Sequence, residues 1–401
     1  MFDLKTFEKD FFLARTPKIY FGPGMFERIP NFIGELGSRA AVITGSSSLE
    51  NSGKKEILFR MLKCASINYV VKKVRSEPTC ELVDRISNSI REFNPDFIIA
   101  IGGGSVIDAG KAVACMLEEE GSVLDLLEDV GTRKPSGRKR TFIAVPTTAG
   151  TGSEATKNAV ISGNHGKHKS GFKKSLRHDN YVPDIALVDP SLTLSCAPLI
   201  SAQSGIDAFT QLLESFVSRG ASYFTDSLAK EALHAGRGIF PNLRNLGKDD
   251  ISSRCVMSYA ALISGITLTN AGLGAVHGFA SSIGGLFPIP HGAICGALLT
   301  AVCEVNIAVL MKKKEAGSFY LQKYAEAAEI LTGQKFANLN DALDGLIAWI
   351  RELTERLEIP PLREYGMTEE DFEKIVSQTS ARNNPVELSG EDLTEVLKRS
   401  L

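Results

Sequence analysis

The chain alternates short apolar runs with amphipathic stretches over its first half, then changes period. Residues 97–101, Phe-Ile-Ile-Ala-Ile, are apolar without a break, the mark of a strand covered on both faces. Residues 141–145 repeat the pattern, and 18–21, 40–44, 68–74 and 185–188 give further strand signals. Helical spacing fills 55–64 and 82–93 between them. Strand–helix–strand alternation at this interval predicts a mostly parallel, doubly wound α/β sheet. Beyond Pro198 the strand signals nearly vanish. Helical periodicity runs through 202–218, 223–235, 252–266, 271–283, 292–309, 320–331, 337–357 and 369–379. An α/β domain over residues 1–190 and an all-helical domain over 191–401 are therefore expected, with the border near 189–200. The polar stretch 163–180, rich in Lys, His and Ser, reads as an exposed hairpin or loop with solvated histidines.

Two strand ends carry candidate chemistry. The run 97–101 leads straight into Gly102, Gly103, Gly104 and Ser105, followed by the helical pattern opened by Val106, Ile107 and Asp108. A glycine turn between a buried strand and a helix lets backbone N–H groups close on phosphate oxygens, with the positive end of the helix dipole facing the anion. Asp108 is expected in the first helical turn, available to a ribose hydroxyl. After 141–145, Pro146 stops the ladder, and Thr147, Thr148, Ala149, Gly150, Thr151, Gly152 and Ser153 follow as small or hydroxylated residues. Either loop alone also fits ordinary turn chemistry. Two of them at the ends of buried strands point to one crevice at the carboxyl edge of a parallel sheet, a nucleotide site.

Composition narrows the field. The 401 residues carry a net charge of −2 with mixed signs, which argues against nucleic acid or an anionic membrane as partner. No run approaches the roughly 18 apolar residues of a membrane span. The first ten residues alternate charge with apolar side chains, unlike a signal peptide. Seven cysteines without CxxC spacing suit a reducing compartment, so a soluble, cytoplasmic protein is expected.

The helical half holds polar residues on apolar backgrounds. Asp207 interrupts an apolar helix, with Gln211 one turn later on the same side. His277 lies in Gly-Ala-Val-His-Gly-Phe-Ala and His291 in Pro-Ile-Pro-His-Gly. A carboxylate and two imidazoles suit a divalent metal with an open position for substrate, Gln211 adding a weak oxygen ligand or holding a water. Each also fits a hydrogen-bonded core residue, and spacing alone does not bring them together.

In order, the motifs Tyr20-Phe21-Gly22-Pro23-Gly24, Gly102-Gly103-Gly104-Ser105-Val106-Ile107-Asp108-Ala109-Gly110-Lys111, Pro146 to Glu154, Gly205-Ile206-Asp207-Ala208, Gly274-Ala275-Val276-His277 and Pro290-His291-Gly292 resemble those of the iron-containing (group III) alcohol dehydrogenases, over nearly the whole chain. The resemblance implies a dehydroquinate synthase-like fold, an NAD(P)-binding α/β domain and a helical metal domain, with alcohol oxidation or aldehyde reduction in the cleft between. It implies cofactor binding by Gly103, Gly104, Ser105, Asp108, Thr147, Thr148, Thr156 and Lys169, with Gly102 beside them, and a homodimer or higher homo-oligomer. It also implies one divalent metal, iron or zinc, on Asp207, His277 and His291, with Gln211 at or beside it. Two positions depart from the family pattern. Gln211 stands where the family has its first metal-binding histidine, and Ser281 where it commonly has a histidine near the nicotinamide. Gln211 is then a candidate for direct contact with the substrate oxygen, beside His277 and His291. After the strand at 40–44, Gly45, Ser46, Ser47 and Ser48 replace the aspartate that often selects NAD, so NADP(H) is expected over NAD(H). A small alcohol or aldehyde is the expected substrate. A polyol or phosphorylated-polyol dehydrogenase of the same superfamily, and a metal-free or catalytically silent nucleotide-binding member, remain open alternatives.

Overall fold

The computed structural model describes residues 10–165, 168–247, 249–313 and 315–401, and the chain divides into two compact units. The α/β unit comprises Ala14–Ala197 with Gly247–Ser258, and the helical unit Pro198–Leu246 and Tyr259–Leu401, with the described residues 10–13. Residues 247–258 therefore depart from the sequence-predicted border. Their helical spacing identifies the element but not the core it packs into.

The α/β unit is built on a six-stranded sheet: β1 (Lys18–Phe21), β2 (Arg39–Thr44), β3 (Asn68–Lys73), β4 (Phe97–Gly102), β5 (Thr141–Pro146) and β8 (Ile185–Val188), in the order β1-β8-β5-β4-β2-β3. Every pairing in it is parallel. Helices α1 (Pro30–Ile33), α2 (Ser48–Asn51), α3 (Lys55–Cys64), α4 (Cys80–Arg91) and α5 (Gly104–Met116) connect the early strands. The uninterrupted apolar run of β4 splits by period two. Phe97, Ile99 and Ile101 join a core with Phe26, Ile29, Leu58 and Leu62, while Ile98 and Ala100 join a second core with α4 and α5. Both faces of the strand are thus dry, which is why it reads as continuous hydrophobe. The chain leaves β2 toward β3 and returns on the other side as β4, so the strand order reverses between β2 and β4. Ligands of open α/β sheets bind at the carboxyl ends of the strands at such a point.

The polar stretch is a hairpin, as one of its readings expected, but a longer and less exposed one. Strands β6 (Asn158–His165) and β7 (His168–Arg177) pair antiparallel, and Ala159, Ile161, Phe172 and Leu176 are buried in the second core. The Lys and Ser residues between them masked this alternation. His178 is not simply solvated: its Nδ1 accepts from the Asn180 N–H at 3.1 Å and caps a short turn.

The helical unit contains α6 (Pro198–Val217), α7 (Tyr223–Gly236), most of α8 (Ile251–Ala271), α9 (Ala275–Leu286), α10 (His291–Lys312), α11 (Glu315–Thr332), α12 (Leu339–Arg356), α13 (Phe372–Gln378) and α14 (Gly390–Ser400). Helix α10 is the central post and packs against α6, α9, α11, α12 and α14. Contrary to the reading of the apolar runs, α8 and α10 are long and apolar enough to span a membrane by length and composition, but 67% of each apolar window is buried inside the protein. Helices buried on all sides carry this composition for packing reasons. The sequence reading stopped before α14, whose Leu393, Val396 and Leu397 are buried at helical spacing behind a Ser389–Asp392 capping box.

Candidate metal centre and nucleotide loops

Three helices of the helical unit bring the metal candidates together. Asp207 lies in the middle of α6, His277 in the first turn of α9, and His291 opens α10. Close helix approach makes this possible. A side chain at Gly292 would overlap the Gln203 carbonyl of α6, one turn before Asp207. At Gly274, just before α9, a Cβ would come within 2.8 Å of the Glu214 and Asn384 side chains. His277 Nε2 lies 3.2 Å and His291 Nε2 3.6 Å from Asp207 Oδ1. Cys295, one turn after His291, joins them, and the ligand atoms of all four residues lie within 4.8 Å of one another. Asp207 and Cys295 are buried, whereas the His277 and His291 side chains are 12% and 29% exposed, so the cluster opens on its imidazole side.

Glu214, two turns beyond Asp207 on α6, sets the orientation of His277. Its carboxylate accepts from the Val276 N–H at 2.8 Å, at the start of α9, and from His277 Nδ1 at 2.7 Å. A carboxylate can only accept, so Nδ1 carries the proton and Nε2 is directed at Asp207. This carboxylate–histidine pairing is the arrangement that fixes a metal-binding imidazole. Burial disfavours the charged His277 ring, but Cys295, Asp207 and Glu214 outweigh it and hold its pKa well above 6.5. Burial likewise opposes ionisation of Asp207, yet His291, His277 and Gln211 bring its pKa below the usual value. The Cys295 thiol is lowered against its own burial by His291 and His277. Anionic donors facing the proton-holding His277 ring describe a site where a cation can take the place of a proton.

Gln211 departs from the expectation of a ligand. Its Nε2 donates to Asp207 Oδ1 at 3.1 Å, and its Oε1 accepts from Ser264 Oγ at 2.8 Å. The amide nitrogen has no lone pair to offer, and the carbonyl is turned toward Ser264. Gln211 holds the Asp207 carboxylate. Ser281 is exposed, one turn after His277 on α9. Sequence reading missed Glu214 and Cys295. Their signals were the seven-residue step from Asp207 and the four-residue step from His291, both available in the chain but unremarkable on apolar helices.

In the α/β unit the two predicted loops are neighbours. Gly102 lies opposite Pro146 in the β4–β5 register, and the Thr147 N–H donates to the Gly102 carbonyl at 2.9 Å. Gly103 caps α5, whose first residue is Gly104 and second Ser105. A Cβ on Gly103 would sit 3.3 Å from Thr148 Oγ1, and one on Gly104 2.6 Å from Thr151. Gly45 and Ser46 follow β2 on the far side of the reversal point, Gly45 buried and Ser46 exposed. Among the described residues, these loops join backbone N–H groups, hydroxyls and a helix start at one edge of the sheet.

Two predicted cofactor residues are engaged elsewhere. Asp108 lies in the second turn of α5, one turn later than expected, because the helix starts at Gly104. Its carboxylate accepts from Ser153 Oγ at 2.5 Å and from the Val160 N–H at 3.0 Å, tying α5 to the second loop and to β6. Thr156 is buried, its Oγ1 accepting from Lys111 Nζ at 2.9 Å. Lys111, the last residue of the Gly102 motif, has a structural role of its own. Fully buried, it donates to the Ser153 and Asn158 carbonyls at 2.9 and 2.7 Å and pins the whole segment between β5 and β6. Burial lowers its pKa to about 8. The Lys169 side chain lies outside the described residues.

Comparison with known proteins agrees with this arrangement. The family model for iron-containing alcohol dehydrogenase matches residues 16–190, and that for the C-terminal part of the same family matches 201–401. The chain is 32% identical over 391 residues to the NADPH-dependent butanol dehydrogenase of Clostridium saccharobutylicum, covering 95% of both chains. It is 27% identical to the NAD-dependent methanol dehydrogenase of Bacillus methanolicus, covering 96% of this chain and 98% of that one. Among solved structures, an alcohol dehydrogenase from Oenococcus oeni superposes with a TM-score of 0.84 at 28% identity, over 98% of this chain and 100% of that one. The chain belongs to the iron-containing alcohol dehydrogenase family. It is an NAD(P)-dependent oxidoreductase acting on CH–OH groups, and its family implies a metal and a nicotinamide cofactor.

Proposed function

We propose that the protein interconverts small alcohols and aldehydes with NADP(H) in preference to NAD(H), using one divalent metal held by Asp207, His277 and His291. The convergence of these three side chains from three helices, with the imidazole side open, is the observation that carries the reading. A cation bound there would supply Lewis acidity toward the substrate oxygen, and the nicotinamide the hydride acceptor or donor. The chain's own part is positioning. Glu214 keeps the Nδ1 proton of His277 in place, so Nε2 remains the donor atom. Gln211 anchors the Asp207 carboxylate. Gly103, Gly104, Ser105, Thr147 and Thr148 provide the N–H and hydroxyl groups for a pyrophosphate at the start of α5.

The cofactor preference rests on the end of β2. Gly45 to Ser48 offer N–H and O–H donors and no carboxylate to repel a 2′-phosphate. The NADPH-dependent relative supports it, while the NAD-dependent methanol dehydrogenase shows that related chains differ on this point. Seven free cysteines support work in a reducing, cytoplasmic setting. The test is cofactor oxidation over a series of small aldehydes by protein loaded anaerobically with Fe or Zn. Metal-dependent turnover with higher kcat/KM for NADPH is expected. Equal or better efficiency with NADH refutes the preference, and full-rate reduction by protein lacking stoichiometric metal refutes the metal.

A further inference from the structure

The cluster contains one donor that the family's ligand pattern does not account for. Cys295 is fully buried on α10, one turn after His291 and therefore on the same helix face. Its Sγ lies 3.8 Å from Asp207 Oδ1, 3.9 Å from His277 Nε2 and 3.7 Å from His291 Nε2. The sulfur is thus nearly equidistant from the three other ligand atoms, as the fourth member of a tetrahedral donor set would be. Zinc bonds of about 2.3 Å to sulfur and about 2.0–2.1 Å to nitrogen put neighbouring donors roughly 3.5 Å apart in that geometry. The two separations from Asp207 to the imidazoles, 3.2 and 3.6 Å, and the three to the sulfur all lie close to that spacing.

The residue at the position of the missing imidazole is engaged in another role. The Gln211 carbonyl takes a hydrogen bond from Ser264 Oγ, and its NH2 group faces Asp207. Turning the amide over would press two acceptor oxygens, Oε1 and Asp207 Oδ1, against each other. Gln211 therefore supports a ligand, and the empty coordination corner falls to the sulfur.

We propose that Cys295, as the thiolate, is the fourth protein ligand of the metal centre, replacing from α10 the nitrogen that the family otherwise supplies from α6. This rests on the metal reading above and goes beyond it. The donor set becomes one carboxylate, two imidazoles and one thiolate, with two negative charges against a divalent cation. A thiolate favours zinc over the harder manganese(II) more strongly than an all-nitrogen and oxygen set does. The exposed imidazole side would remain the side from which a substrate oxygen could approach a bound cation.

The decisive measurement is zinc K-edge absorption fine structure on the zinc-loaded protein and on Cys295→Ser, with circular dichroism confirming that both fold. One sulfur scatterer at about 2.3 Å is expected in the native protein and absent from the variant. Chelator competition should show zinc affinity in the variant down by at least the roughly tenfold typical of losing an outer-sphere partner, with manganese less affected. If Cys295→Ser does not fold, Cys295→Ala and the native spectrum carry the same test. Stoichiometric zinc with only nitrogen and oxygen neighbours overturns the thiolate and leaves the metal reading standing. A sulfur shell that persists in the variant also overturns it. A folded protein that binds no zinc overturns both.

Discussion

The nucleotide loops and the metal cluster are assembled in opposite ways. The loops draw on contiguous stretches at the ends of adjacent strands, and much of their chemistry is backbone. The cluster draws on isolated side chains from α6, α9 and α10, held by Glu214 and Gln211. A site made of local backbone tolerates side-chain exchange as long as space is kept, whereas a convergent site depends on each donor. Substitutions should expose the difference.

The largest expected effect is at the cluster. His277→Ala removes a donor and its link to Glu214, and should lower bound metal and kcat together, the latter by roughly a hundredfold or more. Normal metal content measured by plasma emission in that variant would separate ligand from electrophile and break the comparison. Glu214→Gln comes next. It keeps the size but turns a pure acceptor into a group that can also present N–H to His277, and should weaken metal binding by about 10–100-fold. Unchanged affinity in a chelator titration would mean that helix packing alone orients the imidazole.

On the other side, Gly103→Ala should fold, because its Cβ meets only the Thr148 side chain, at 3.3 and 3.4 Å, and no backbone atom. The added methyl narrows the space beside the helix start and should raise the Kd for NADPH about tenfold with metal content unaltered, an effect of the size of one lost charged hydrogen bond. Calorimetry showing native affinity would move the pyrophosphate away from this turn. The smallest effect is on stability. Burial raises the pKa of Glu154, in the second loop, to about 7. The folded protein then holds a proton that the unfolded chain releases near 4.5, so stability contributed by the neutral acid declines as pH rises from about 4.5 to 7. In Glu154→Gln that decline should vanish, and the variant's melting temperature should rise relative to the native protein's from pH 5 to pH 7. A constant difference across that range would show a carboxyl already ionised.

The same contrast explains what was legible beforehand. Strands β4 and β5 follow most directly from their apolar runs, because both are dry on both faces and end at glycine or proline, whereas the short, partly exposed β1 and β3 gave weaker signals. The hairpin was half seen, since Lys and Ser on its outer face dilute Phe172 and Leu176 on its inner one. At the metal cluster, polar residues on apolar helices revealed Asp207, His277 and His291, but a buried cysteine is common in any core and Cys295 gave no such contrast. Asp108 and Thr156 show the complementary limit, because the fold gives them structural hydrogen bonds that the motif does not announce. A motif names the residues of a loop without saying which face the ligand and which, like Lys111, hold the loop from behind.

The position of β1 has a consequence for the order in which the chain matures. It is the first strand of the sheet in chain order, yet its one partner there is β8, with Lys18 opposite Ile185. At roughly 5–20 residues per second, the ribosome needs on the order of ten seconds or more to deliver that partner. The β2–β3 and β4–β5 pairings close over far shorter stretches and can form meanwhile. Strand β1 therefore waits for β8. In pulsed hydrogen exchange during refolding, the Lys18 and Gly22 amides, bonded to Asp184 and Val188, should be the last of the sheet to gain protection. Their early protection would mean that the edge is docked before its neighbour is set.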